Sequence, residues 1–255
     1  MSLYDRRVGT SQAIRMLDLD LVALLDCVHA NSLFGSGIGL DESSDGGIVI
    51  FASVDGPLSA GLNPYGVRIR NATELKSSAV TAPRPLGVTI ATDQALYVEG
   101  DFNKDNRIPA ALIADSLNVL SASWLDAASC PSCPFSSRVA SSTVIHAALL
   151  AGTDSTGGAE GAAGRDGGDY NGGLENFVRL HENWSGRTLT IEGSFASLGV
   201  PQHVNGTFAI GSPRFTAPNR AFGFDPSFSA LSGLPPATPR MTYLRVASNV
   251  RRFDL

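Results

Sequence analysis

Hydrophobic and polar residues recur along this chain with two different periods. Over residues 11–29, SQAIRMLDLDLVALLDCVH, the apolar positions Ile14, Leu17, Leu21, Leu24 and Val28 return at helical spacing, with Asp18 and Asp26 off the stripe. Side chains three and four residues apart share a helix face, so the pattern predicts an amphipathic helix over 11–30 with a solvated acidic side. Beyond it the period falls to two. Short apolar, β-branched runs begin at Gly47 (GIVIFASV), Gly66 (GVRIRNATEL), Gly87 (GVTIATDQALYVEG) and Ala110 (AALIADSLNVLS), and STVIHAALLAG and RTLTIEGSFASLG continue the series. Within the third run Val88 and Ile90 oppose Thr89, and Leu96 and Val98 oppose Tyr97 and Glu99, which is strand alternation.

The first four runs follow one another at intervals of about 20 residues, the length of one coil of a parallel β-solenoid. Several contain two strand-like halves joined by a kink, as in VTIAT-DQ-ALYVEG, and a coil needs two or three strands joined by bends. The expected fold is therefore mainly β: a right-handed parallel β-solenoid, or β-helix. A β-sandwich is the alternative; it predicts closer-spaced strands joined by Asn-Gly-type hairpin turns, and few such turns separate these runs.

A single domain over 1–255 is expected. In it the helix at 11–30 acts as a cap, the solenoid occupies 47–199, and loops at 126–140 and 151–173 are mobile insertions. The second of these, Gly/Ala/Asp-rich, lacks core-forming residues. LENFVRLHENWSG, with Leu174, Phe177, Val178 and Trp184 on one side and Gly186 after them, reads as a short packed helix. Residues 200–255 interleave prolines, including Pro235, Pro236 and Pro239, with Phe208, Phe215, Phe222, Phe224 and Phe228. Such a segment suits an irregular tail that wraps along the strands and covers an edge.

Composition narrows the class of partner. A chain with 17% charged residues, 27 Gly and 14 Pro suits many turns between strands, and a net charge of −5 with dispersed Lys and Arg gives no basic face for nucleic acid. No apolar run approaches the roughly 20 residues of a membrane span, and the start MSLYDRRVGTSQ lacks the order of a signal peptide.

Three groups of residues suggest chemistry. In DFNKDN, Asp101, Asn103 and Asp105 stand at alternate positions, as calcium ligands do in an EF-hand loop. Asn106 tolerates the place where that loop requires Gly, but Leu112 occupies the place of its bidentate acid, so calcium competes with a plain polar corner. The acids Asp93, Glu99 and Asp115, with Asp101 and Arg70 near them in the repeat, are candidates to face a glycan, because glycan cleavage requires paired carboxylates on one face. Cys130 and Cys133 in SCPSCP supply half of a zinc set with no second pair, which leaves a local disulfide or two thiols. His29, His146, His181 and His203 have no ligand spacing, and no G-x-S-x-G occurs, so no catalytic residue is assigned.

The order of segments, from YDRR through VTIATDQALYVEGDFN, PAALIADSLNVLSASW and TVIHAALLAG to YNGGLENFVRLHENWSGRTLTIEGS, PNRAFGFD and LPPATPR, resembles the C-terminal region of large bacterial surface proteins of the pilus-assembly (PilX-like) kind, which carry a prepilin-type N-terminus. GGLENFVRLHENWSG is the most specific part. The resemblance covers nearly the whole chain from Leu3 and implies an exported, surface or pilus-associated structural or adhesive module, part of a longer precursor, with surface components, pilus components or glycans as partners. It brings no catalytic residue and no cofactor. No hydrophobic segment precedes these motifs here, so pilus assembly through one does not carry over. Export favours the Cys130–Cys133 disulfide. Two other functions compete: a carbohydrate-active solenoid enzyme, either hydrolase or lyase, and a self-assembling filament or shell subunit.

Overall fold

The computed structural model describes residues 2–4, 13–53, 65–130, 132–151, 178–197 and 215–239. These form one α-helix, α1 (Leu21–Ala30), and twelve strands. The strands are β1 (Ser2–Tyr4), β2 (Ala13–Asp20), β3 (Ile48–Ala52), β4 (Tyr65–Arg70), β5 (Val88–Thr92), β6 (Ala95–Glu99), β7 (Ala110–Ala114), β8 (Ser116–Leu120), β9 (Thr143–Ala151), β10 (Arg179–Leu180), β11 (Thr188–Ser197) and β12 (Asn219–Phe224). They build two six-stranded sheets, sheet A in the order β1-β2-β4-β6-β8-β10 and sheet B in the order β12-β11-β9-β7-β5-β3. Among the described residues only the β1–β2 pair is antiparallel. From β2 to β11 the chain changes sheet at every step. Parallel neighbours require crossovers, so the pairing is not that of a hairpin-built sandwich.

Register explains why these sequences alternate. In sheet A, Leu19, Ile69, Val98, Val119 and Leu180 pair in succession across β2, β4, β6, β8 and β10. In sheet B, Ile50, Ile90, Leu112, Leu149 and Phe195 do the same across β3, β5, β7, β9 and β11. Apart from Phe195, which is 37% exposed, both rows pack on one continuous core that also takes in Leu21 and Leu25 of α1, Phe102 and Trp184. A slip of one residue would turn any of these strands inside out, which fixes the register. The opposite face of sheet A is also covered. Leu3, Ile14, Met16, Tyr97, Leu120 and Trp124 form a second apolar layer there.

Four expectations are corrected. The helix expected at 11–30 occupies only 21–30, and residues 13–20 are strand β2. Ile14 and Met16 enter the outer layer while Leu19 faces the main core, so a strand with apolar residues on both faces imitates a helical stripe. Asp20 then ends the strand and starts the helix, its carboxylate accepting the Ala23 N–H at 3.0 Å as an N-cap. Second, the segment expected as a helix around Trp184 is, in its described part, strand β10 followed by turns; Val178 and Leu180 are buried and Gly186 has φ +71°. Leu174 and Phe177 lie outside the described residues.

Third, the runs from Gly47 and Gly66 are not successive repeats: β3 lies in sheet B and β4 in sheet A, whereas each later run, β5–β6 and β7–β8, supplies a strand to both. An interval of about 20 residues therefore spans two different lengths of chain path, because the β4–β5 connection carries the long corner 71–87. Fourth, the loop at 126–140 is not a free insertion. Its described part packs on the outer face of sheet A, with Arg138 2% exposed, its Nε donating to the Ala128 carbonyl at 2.9 Å and its guanidinium 5.5 Å from the Trp124 ring. Of the insertion at 151–173, only Ala151 is described, as the last residue of β9.

The C-terminal segment is described over 215–239. It adds β12 to the edge of sheet B, and then Pro236 accepts from the Thr89 hydroxyl at 2.8 Å and the Ala237 N–H donates to the Asp45 carbonyl at 3.0 Å. The chain thus returns from the last strand of sheet B to the region of the first two.

Candidate functional site

A shallow, open cleft of about 500 Å³ lies between α1 and the corner that follows β4, with Val22 and Ala23 among its walls beside several polar side chains. Asn71, in the left-handed region at φ 55°, turns the chain there, and its Nδ2 donates to Asp20 Oδ2 at 2.6 Å. On the helix, Asp26 accepts from the Ser77 hydroxyl and from the Ser78 N–H and hydroxyl at 2.7 and 2.6 Å. The two serine hydroxyls hold its carboxyl down at about 2. Glu74 completes the wall, paired with Lys76 at 2.7 Å and accepting from Asn106 at 3.0 Å; these two bonds lower its pKa as well. Thr73 also lines the space. The arrangement offers carboxylates, hydroxyls, an amide and one ammonium in an open groove.

At the 101–106 corner Asp101 and Asn103, two of the three proposed calcium residues, turn their side chains to separate partners. Asp101 accepts the Val144 N–H at 2.8 Å and pairs with Lys104 at 2.7 Å. Asn103, only 1% exposed and at φ 53°, turns inward: its Nδ2 donates to the carbonyls of Ile108 and His146 at 2.7 and 3.0 Å, and its Oδ1 accepts the Ile108 N–H at 3.0 Å. Asp105 is exposed. Among the described residues no group of three or more His, Cys, Asp or Glu is placed to hold a metal ion.

The proposed glycan-facing acids separate into two places. Asp93 and Asp115 occupy equivalent corners between sheets B and A. Asp93 accepts from the Gln94 side chain at 3.0 Å, and Asp115, 5% exposed, donates its N–H to the Gln94 carbonyl at 3.2 Å. Glu99 lies at the far end of β6 and joins a charged network on the outer face of sheet A. Register lines up Asp18, Arg68, Tyr97, Asn118 and Arg179 across this sheet. Arg68, 1% exposed, donates through Nε to Asp18 at 2.5 Å and through Nη1 and Nη2 to Asp126 at 2.7 and 3.1 Å; Glu99 Oε2 lies 3.0 Å from Nη1. Trp124 Nε1 donates to the same Asp126 at 2.9 Å.

The environment separates these carboxyls. Burial raises the pKa of Glu99, only partly offset by Arg68 and Arg70. Burial acts the same way on Asp126, but the hydrogen bonds from Arg68 and Trp124 prevail and lower it. Beside them Glu182 is completely buried, accepting the Ser121 N–H at 2.6 Å and the Ser121 hydroxyl at 2.7 Å; burial pushes its carboxyl up to about 7. Next to it His181 shares a hydrogen bond with Asn118 Oδ1 at 2.9 Å, and its ring stands 5.6 Å from Tyr97 and 6.5 Å from Trp124.

Sequence reasoning singled out Glu99 but not Arg68, Asp126 or Glu182. Arg68 sits where alternation predicts the polar, solvated side, whereas Asp126 lies in a turn of 3-10 helix and Glu182 just beyond β10, where no strand period applies. Cys130 and Cys133 are joined in a disulfide, Cα to Cα 5.0 Å, within the covering segment. In comparison with known proteins, the chain matches no family model, no curated protein and no solved structure.

Proposed function

We propose that the chain winds as a right-handed parallel β-solenoid and works as a non-enzymatic structural or adhesive module of an exported bacterial surface or pilus-associated protein. Right-handed winding follows the near-universal hand of parallel crossovers, and the alternation of strands between two parallel sheets supports the coil.

The observation that carries the functional reading is the use made of the buried charges. Arg68 meets Asp18 of β2, Glu99 of β6 and Asp126 of the covering segment, so the network fastens a layer onto sheet A. Among the described residues, the open cleft beside α1 presents hydroxyl, carboxylate, amide and ammonium groups of the kind that meet the hydroxyls of a glycan. An open groove does not exclude water, as acid–base catalysis needs.

The test is a glycan-array binding measurement on the full chain, alongside reducing-end release from the same polysaccharides. Binding that Asn71→Ala and Lys76→Ala each weaken, with no release of ends, is the expected result. Release abolished by Glu99→Gln would instead establish the second reading, a carbohydrate-active enzyme. That reading draws on the raised carboxyl of Glu99 beside the lowered one of Asp126, the separation an acid and its partner require.

A further inference from the structure

We infer that sheet B continues from one copy of this chain into the next, β12 of one molecule lying beside β3 of its neighbour. Among the described residues β3 pairs only with β5, and β12 only with β11. Every pair between them in sheet B is parallel, so β3 and β12 point the same way. A second copy displaced along the stacking direction therefore meets an edge with no partner among the described strands, in the correct sense and without any reversal.

Sheet A offers no such junction. One end carries the antiparallel strand β1, and the other stops at the two-residue β10. An unpaired edge strand is a template for a further strand.

Both edges also expose apolar side chains. Phe222 and Phe224 face the core side of sheet B, where the register sets them beside Ile191 and Gly193, yet they are 41% and 60% exposed. At the other end the core side shows Leu17 of β2, 44% exposed, and the half-buried Ile50 of β3, while Val49 and Phe51, 46% and 67% exposed, lie on the outer face of sheet B, which Ala221 and Gly223 share in β12. Charge agrees too. Arg187 and Arg220 are exposed where β11 and β12 begin, and Asp41 and Asp45 are exposed on the approach to β3. Juxtaposing the strands in parallel brings these opposite charges to the same end of the junction. Such a contact is heterologous and open, so it repeats.

This inference deepens the structural reading by naming the partner, but it stands on the edges of sheet B alone; failure of glycan binding would leave it untouched, and its own failure would leave the cleft untouched. Backbone geometry supplies the variants. Ile48 donates its N–H toward β5, and Asn219 and Asp225 donate theirs toward β11, so the N–H groups of Phe51 and Phe222 point to the free edges. Phe51→Pro and Phe222→Pro each remove one outward donor without touching the native ladder.

Sedimentation of the full chain over a concentration series is expected to show mass growing without a fixed end point. Each proline variant alone is expected to remain a monomer, and an equimolar mixture of the two to stop at a dimer through its single intact junction. Val49→Lys and Phe224→Lys provide a second pair, should either proline variant unfold. A wild-type chain that stays monomeric at about 100 μM, well above the dissociation constants of ordinary specific contacts, would overturn the inference. So would a Phe51→Pro variant that dimerises alone, because that contact would join β12 to β12.

Discussion

Glu182 shows how a single buried carboxyl makes folding stability depend on pH. In the unfolded chain it titrates near 4.5; in the folded protein burial moves it to about 7. Below 4.5 both states hold the proton and the group costs nothing. As pH rises toward 7 the unfolded state loses its proton first, so folding stability falls across this window and then levels off. At 1.36 kcal/mol per pKa unit the loss is about 3 kcal/mol. Glu182→Gln keeps the shape and an acceptor for the Ser121 N–H, so the variant is expected to escape the loss. Its Tm should match the wild type near pH 4.5 and exceed it by about 5–10 °C at pH 8. Equal values for the two proteins at pH 8 would show that the ionised carboxylate is not disfavoured there.

Asp101 makes the opposite case. Its two oxygens already hold the Val144 N–H and Lys104, and Asn103 faces inward to Ile108 and His146. Thermal melts in EDTA and in millimolar calcium are therefore expected to superimpose. Asp101→Ala should lower stability by about 1–2 kcal/mol in both, through the orphaned Val144 donor. A calcium-dependent rise in Tm that Asp101→Ala removes would restore the ion site.

At the scale of elements, β11 and β9 approach closely at Gly193 of β11. A Cβ there would lie 1.7 Å from the Ala147 carbonyl oxygen of β9, so no side chain fits without moving backbone. Gly193→Ala is expected to cost about 1–3 kcal/mol in urea denaturation, the range for overpacking, although alanine is the better strand residue on propensity. A neutral result would mean that β9 and β11 separate easily at this point.

The same scale shows what the sequence makes legible. β5 to β8 are readable because each pair is a short apolar or alternating run broken by a polar corner, Asp93-Gln94 between β5 and β6 and Asp115 between β7 and β8. β2 is not, because it buries apolar side chains on both faces and so loses the alternation that identifies a strand. β10 is not, because Arg179, His181 and Glu182 are buried polar residues, and a pattern reader assigns such residues to a helix surface. Of the candidate sites, Glu99 was accessible to sequence reasoning as an acid on a strand. Its true neighbours were not, since the register of β2, β4 and β6 brings Asp18 and Arg68 to it and the second layer adds Asp126, all from distant parts of the chain.

For the whole molecule, that second layer makes the two tryptophans report on different structures. Trp184, fully buried, belongs to the core that runs unbroken between the two sheets from α1 to Phe215. Trp124 belongs to the smaller outer layer, held by seven buried apolar residues and by the Arg68 network. A small apolar layer contributes less burial than a continuous core, and ion pairs whose carboxylates are partly exposed weaken in salt. The outer layer is therefore expected to open as a separate, less stable unit while the two sheets stay folded. Single-tryptophan variants, Trp124→Phe and Trp184→Phe, isolate each signal. Fluorescence from Trp124 should shift at a lower urea concentration than fluorescence from Trp184, and the gap should widen in high salt. Far-UV circular dichroism should follow Trp184. Coincident transitions in both variants at every salt concentration would mean that the layer and the core unfold as one, and that the Arg68 network is part of the fold's common stability and not a fastening for a separate cover.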